Sequence, residues 1–249
     1  MMRSEKVIGL IVPSVDVNIE AFYHRFAPKG VAVTTDRISF DGVQIHTLEH
    51  MVESYEHAAV DLCHAEPDIL ISSSLTLGCF LDAAIQRHIE QRSGVPSITS
   101  LSAFLEVLQW FPSRRVALLV PYQDDINAMF LQTLRERGVD VCYTETLKSR
   151  TLQAYRSIRE LQDLELLHVV RQADLAAVRA SGADMLLVGA SGIGGAENIA
   201  LAEQELGLPI LLPDQLALLY ALVCIGCYQP APELGCVFQQ PSYDNREMR

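Results

Sequence analysis

Three consecutive hydroxyl side chains, Ser72, Ser73 and Ser74, stand between the apolar run PDILI and the segment LTLGC. At a strand-to-helix corner a serine ordinarily caps the helix by accepting from its free N–H groups. Three in a row, beside those N–H groups, also make a donor set suited to an anion. A second such corner is VGASGIGG, where Ala190, Ser191 and Gly192 follow an apolar run. Two more corners begin with proline, Pro13-Ser14-Val15-Asp16 and Pro121-Tyr122. None of the four carries Lys, Arg or His. Neutral donors without a cation suit a carboxylate, and the enolate-like charge left when the adjacent carbon loses CO2 or a proton. Asp16 and Asp124 both fit helix N-caps. Asp16 could also act as a base, although with no cation nearby it would repel an anionic substrate.

The elements that must position these corners alternate along the chain. Val7–Val12, Val31–Ser39, Ile69–Ser72, Val95–Thr99, Val116–Val120, Asp140–Thr144, Met185–Gly189 and Pro209–Leu212 read as strands. Amphipathic stretches lie between them; in Asp125–Arg137, Ile126, Met129, Phe130 and Leu134 share one helical face. Short β-branched runs alternating with helices predict an α/β fold with parallel sheets.

Two stretches then repeat. IGLIVPSVD matches VALLVPYQD, setting Pro13 opposite Pro121 and the small Ser14 opposite Tyr122. GVPSITSLSAFLEVL matches GLPILLPDQLALLYA, in the same order and at nearly the same separation. PDILISSSL and ADMLLVGASG form a third pair between them. The repeat predicts two similar Rossmann-like lobes, each with a parallel four-stranded sheet, related by a pseudo-twofold axis. Residues 1–112 with 214–249 are expected to form the first lobe and 113–213 the second. Ligands of such sheets bind beyond the carboxyl ends of the strands, so the four corners are expected to meet in an inter-lobe cleft. Tyr122 breaks the repeat at the mouth of that cleft, which marks it for ligand contact.

Composition excludes several classes. The 249 residues are 49% hydrophobic and 20% charged, as in a folded globular protein, with a formal charge of −12 that disfavours nucleic acid and anionic membranes. Met1 to Lys6 leads directly into an apolar strand, with no signal peptide visible. The apolar stretch Leu206 to Cys227 is split at Pro213 into a strand and a helix too short to span a bilayer. Six scattered cysteines do not form a disulfide pattern, which predicts a cytoplasmic protein with reduced thiols. Cys224 and Cys227 make a C-x-x-C at a helix end, where two buried thiols are expected rather than a redox or zinc pair. His46, His50 and His57 read as surface or hydrogen-bond-satisfied residues of a polar helix. No metal-ligand pattern or P-loop is present in the sequence, so neither metal nor cofactor is expected. VGASGIGGAEN resembles the glycine-rich turn of short-chain dehydrogenases, but it lies near the end of the chain and its glycines are too closely spaced for that motif.

With these corners laid out, GLIVPS, SSSLT, VPYQDDIN and the G-L-P strand with its helix resemble the aspartate/glutamate racemase superfamily. The similarity runs from about Val7 to Gly226 and is strongest with the branch of maleate cis-trans isomerases, arylmalonate decarboxylases and ectoine-utilisation proteins of that type. The resemblance implies a metal-free, cofactor-free pocket for a small carboxylate between two lobes. It implies carboxylate-holding hydroxyls at Ser73 and Ser74, a tyrosine at Tyr122 and an asparagine at Asn127. The positions of the two reactive cysteines fall on Ser72 and Ala190, with Ser191 next to the latter, and an asparagine of maleate isomerases falls on Asp16. A hydroxyl is far harder to ionise than a thiol, whose reference pKa is about 8.5. Thiol addition and two-thiol proton exchange therefore lose their reagents.

The sequence thus predicts a cofactor-independent isomerase or decarboxylase-type lyase acting on a small mono- or dicarboxylate. Ser72, Tyr122 and Ser191 are the candidate proton carriers; Pro13, Ser14, Asp16, Ser73, Ser74, Asn127, Ala190 and Gly192 are the candidate substrate contacts. The alternative is a carboxylate-binding or accessory protein without catalysis. The apolar content suggests a homodimer or larger assembly.

Overall fold

The computed structural model describes residues 6–40, 45–122, 124–147, 164–241 and 243, with only the backbone for 45–50. Eight strands lie in these residues: β1 (Lys6–Pro13), β2 (Val31–Ile38), β3 (Ile69–Ser72), β4 (Ser97–Thr99), β5 (Arg115–Val120), β6 (Asp140–Thr146), β7 (Met185–Val188) and β8 (Ile210–Leu211). They form two four-stranded sheets, ordered β2-β1-β3-β4 and β6-β5-β7-β8, and every pairing is parallel. One strand order used twice is what the internal repeat requires. Strands buried on both faces read as apolar runs, as β1, β3, β5 and β7 do, whereas the edge strands β2 and β6 are largely half-buried and mix in polar residues.

In this order the chain leaves β1 toward one edge of the sheet and returns across β3 to the other. The crevice between the carboxyl ends of β1 and β3 is therefore a topological switch point, and β5 and β7 make its counterpart. The corners after these four strands are the four singled out above.

The helices are α1 (Asn18–Phe26), α2 (Ile45–Leu62), α3 (Leu75–Ser93), α4 (Ser100–Leu108), α5 (Asp124–Glu136), α6 (Leu166–Gln172), α7 (Leu175–Ala180), α8 (Ile199–Leu206) and α9 (Pro213–Cys224). Their starts are chemically marked. Ser74 caps α3 by accepting from Leu77 N at 3.3 Å. Thr99 and Ser102 form a reciprocal capping box on α4. Pro213 opens α9, while Gln215 accepts from Leu212 N at 3.0 Å. Asp124, expected as a cap, is instead the first residue of α5. On the expected face of α5, Ile126, Phe130 and Leu134 are buried and Met129 is half-buried, and Asn127 is buried as well.

Helix α9 packs on α4 and α1 beside the first sheet, and the chain then returns to the second, where Cys236 N donates to Glu203 Oε2. No helix among the described residues is long and apolar enough to cross a membrane. The apolar content that suggested assembly is largely interior. Among the described residues the exposed large apolar side chains are Val17, Val60 and Leu201, so they give no argument for a second copy. His57 is exposed, while the side chains of His46 and His50 lie outside the described residues.

Candidate active site at the inter-lobe junction

Strand alternation decides which serine faces where. Ile69 and Ile71 belong to the core that contains Tyr23 of α1, whereas Leu70 belongs to the core that contains Tyr55 of α2. Ser72 continues the Leu70 side and lies beside Tyr55, while Ser73 continues the Ile71 side and lies beside Tyr23. Neither tyrosine hydroxyl completes a hydrogen bond of good geometry. Ser72, expected as a proton carrier beside the carboxylate-holding Ser73 and Ser74, therefore faces a different layer from Ser73.

Ser73 is fully buried, and its Oγ donates to Asp214 Oδ1 at 2.8 Å. Gly192 N donates to the other oxygen, Asp214 Oδ2, at 2.8 Å. Two donors expected to hold a ligand carboxylate thus hold the carboxylate of Asp214. The contact joins the first-lobe corner, the second-lobe corner and the first turn of α9. Asp214 escaped the sequence reading because Leu-Pro-Asp-Gln is an ordinary helix start, with proline in the first turn and an acid near the positive end of the dipole. The signal available was the repeat, which sets Asp214 opposite Leu101.

Asp16 approaches the same point from β1. Its Oδ1 accepts from Asn18 N and Ile19 N, both at 2.9 Å, so it does cap the start of α1. Its Oδ2 lies against Gly192, where a Cβ would come within 2.2 Å of it. Gly192 has φ +73°, a left-handed conformation that also favours glycine. Asn18 Nδ2 donates to Gly192 O at 2.8 Å and closes the contact between lobes. Arg37 bonds the Asp16 carbonyl at 2.6 Å and Glu20 at 2.5 Å, so its guanidinium lies behind Asp16 rather than in the junction.

Two further bonds cross between lobes. Thr76 Oγ1 donates to Tyr122 OH at 2.6 Å, and Leu75 N donates to Ser191 Oγ at 3.2 Å. The Ser191 hydroxyl proton is not used in that bond. Asn127 Nδ2 donates to Tyr122 O at 2.7 Å and to Thr146 Oγ1 at 3.1 Å, so it positions Tyr122 from behind. Pro13 and Ala190 are buried at their strand ends, Ser74 and Ser191 half-buried, and Ser14 exposed. Thr76 and Asn18 were not singled out in the sequence. Thr76 follows the last of the three serines by two residues, as Asn18 follows Asp16.

Burial sets the protonation of the site. Desolvation, aided by the charge of Asp16, pushes Asp214 up to about 7 against the two hydrogen bonds it accepts. Asp16 is also raised, chiefly by burial, with its two N–H bonds and Arg37 opposing. Tyr122 is driven well above an ordinary phenol by burial, so its hydroxyl remains protonated. Cys79 lies near Tyr122, but burial and Asp82 push its thiol far up, so it supplies no thiolate. A cavity of about 420 Å³ lies elsewhere, at the amino ends of β3 and β4, and Asp68, Glu90 and Glu106 in its wall make it unfit for an anion.

The fold and junction define a class: a two-lobed α/β protein with hydroxyl and backbone donors at the switch points of both sheets. Residues 8–233 match the family model for arylmalonate decarboxylase, and the chain belongs to that family. A curated maleate isomerase from Pseudomonas putida KT2440 is 24% identical over 150 residues, which span 54% of this chain and 60% of that protein's length. Three solved structures share the fold. A Nocardia farcinica maleate cis-trans isomerase variant with a covalently bound succinylcysteine intermediate has TM-score 0.80 at 20% identity, covering 95% of this chain and 99% of that one. A maleate isomerase variant from Pseudomonas putida S16 with maleate has TM-score 0.76 at 17% identity, covering 94% and 97%. An arylmalonate decarboxylase has TM-score 0.76 at 20% identity, covering 93% and 98%.

Proposed function

We propose that the protein is a cofactor-independent isomerase or carboxy-lyase that acts on a small mono- or dicarboxylate at the inter-lobe junction. The observation that carries this reading is a set of hydrogen bonds that join corners of the two lobes, Ser73 and Gly192 to Asp214, Thr76 to Tyr122 and Leu75 to Ser191, in a chain of the arylmalonate decarboxylase family. Tyr122, permanently protonated, and Ser191, with a hydroxyl proton to give, are the donors for a ligand oxygen; Ser74 adds a third hydroxyl at the helix start. If a malonate-type ligand loses CO2, the two electrons of the broken C–C bond pass into an enediolate. Donors already aimed at its oxygens lower that barrier without reorganising. One proton delivered to carbon completes the reaction. A carbon acid that exchanges its α-proton needs the same donors and, in place of a thiolate, a base to take that proton, a role Asp16 could fill.

The second reading is a carboxylate-binding protein without turnover. It is favoured by Ser72 and Ala190 at the positions expected for the reactive cysteines, and by the raised Cys79 thiol. Incubation of maleate, succinate and phenylmalonate with the protein in D2O separates the two. Deuterium at the α-carbon or release of CO2 supports the enzyme. Binding with neither outcome overturns it in favour of the second reading.

A further inference from the structure

Asp214 and Asp16 face one point from different elements, with Gly192 between them. Their environments differ. Asp16 has two N–H donors on one oxygen and the Arg37 guanidinium behind it. Asp214 has one N–H and one hydroxyl and, among the described residues, no cation acting on it. The other titratable groups facing Asp214 are Tyr23 from α1 and Tyr122 from the end of β5, both neutral phenols. A ligand carboxylate entering here is a third negative charge in a water-poor space, where unpaired charges are strongly disfavoured.

We propose that Asp214 takes up one proton when an anionic ligand binds, so that it reverses its bond to Ser73 and frees the Ser73 hydroxyl to donate to the ligand. In the empty site Ser73 O–H points to Asp214. With Asp214 protonated, the carboxyl O–H donates to Ser73 Oγ and the Ser73 proton turns to the ligand oxygen. No covalent bond changes; one proton is taken from solvent per ligand. Asp214 is thus a positioning residue acting through Ser73, and it explains how a corner without Lys, Arg or His can admit a carboxylate. The inference rests on the carboxylate-site reading above. The group that lies near 7 before binding makes the coupling visible above neutral pH: affinity falls about tenfold per pH unit once Asp214 is ionised in the free protein.

Calorimetric titration of the whole protein with maleate and with phenylmalonate, at pH 8 in two buffers of different ionisation enthalpy, tests this. The expected result is uptake of about one proton per ligand, falling toward zero at pH 6. Asp214→Asn, which keeps the shape of the neutral acid, is expected to take up no proton at pH 8 and to bind at least tenfold more tightly there than the wild type. Rescue of tight binding by Asn but not by Asp214→Leu distinguishes donor reversal from a packing role. Ligand binding by the wild type without proton uptake overturns this inference and leaves the carboxylate site standing. Absence of binding by both the wild type and Asp214→Asn, from pH 5.5 to 8, overturns the carboxylate-site reading itself.

Discussion

Ser73 Oγ donates to Asp214 Oδ1 at 2.8 Å across 141 residues of chain, and neither group is exposed to bulk water. The bond ties the corner after β3 to the first turn of α9, while Gly192 N brings the second lobe to the same carboxylate. One buried acid therefore helps hold the lobes together and also occupies donors at the point where a ligand is proposed to bind. Stability and binding should both respond to its protonation.

The stability response has a definite sign. Asp214 is raised to about 7 in the folded protein, from about 3.9 in an unfolded chain. A carboxyl raised on folding contributes most stability below its unfolded pKa and loses that contribution as pH rises through the folded value. The wild type should therefore lose Tm between pH 5 and pH 8 by more than Asp214→Asn does, at roughly 2–4 °C per kcal/mol for a chain of this size. Parallel Tm profiles for the two proteins would contradict the assignment.

Gly192→Ala should destabilise the fold. Its positive φ alone costs about 1–2 kcal/mol for a residue with a Cβ, and the added methyl meets Asp16 Oδ2 at 2.2 Å. In a double-mutant cycle with Asp16→Ala, chemical denaturation should show coupling, since removing the carboxylate relieves the clash but not the φ penalty. Strict additivity of the two substitutions would contradict the contact.

Cys79 should behave as an inert core thiol. It is buried on α3, and its raised pKa leaves almost no thiolate at neutral pH. A thiol reagent should modify it in native protein only at the rate of unfolding, and Cys79→Ala should retain any turnover the wild type shows. Rapid native-state labelling at Cys79, followed by mass spectrometry, would contradict this.

The fold was legible because the central strands β1, β3, β5 and β7 carry apolar runs, and because the chain states its architecture twice. Strand ends were read less sharply at β4 and β8. There the G-V-P and G-L-P segments return from helices that end in left-handed Gly94 and Gly207. Pro96 O and Pro209 O already accept ladder-like bonds, from Leu70 N and Leu186 N, before the strands proper begin. The corners were legible from the repeat, and Thr76 was present in SSSLT without a role assigned to it. Ser72 was read alongside its neighbours because adjacency in sequence hides the alternation that turns it toward Tyr55. Asp214 could not be found locally, since its importance arises only where α9 brings it against corners from both lobes.

A small carboxylate is proposed to be held at the junction to which Ser73 and Tyr122 belong. Tyr122→Phe removes the partner of Thr76, at about 1–3 kcal/mol of stability for a buried donor left unpaired, so each variant is first checked for folding by circular dichroism. Calorimetric titration of maleate and phenylmalonate at pH 6 into the wild type, Ser73→Ala and Tyr122→Phe is the most direct measurement. Each folded variant should bind at least tenfold more weakly than the wild type. Unchanged affinity in both variants would contradict it.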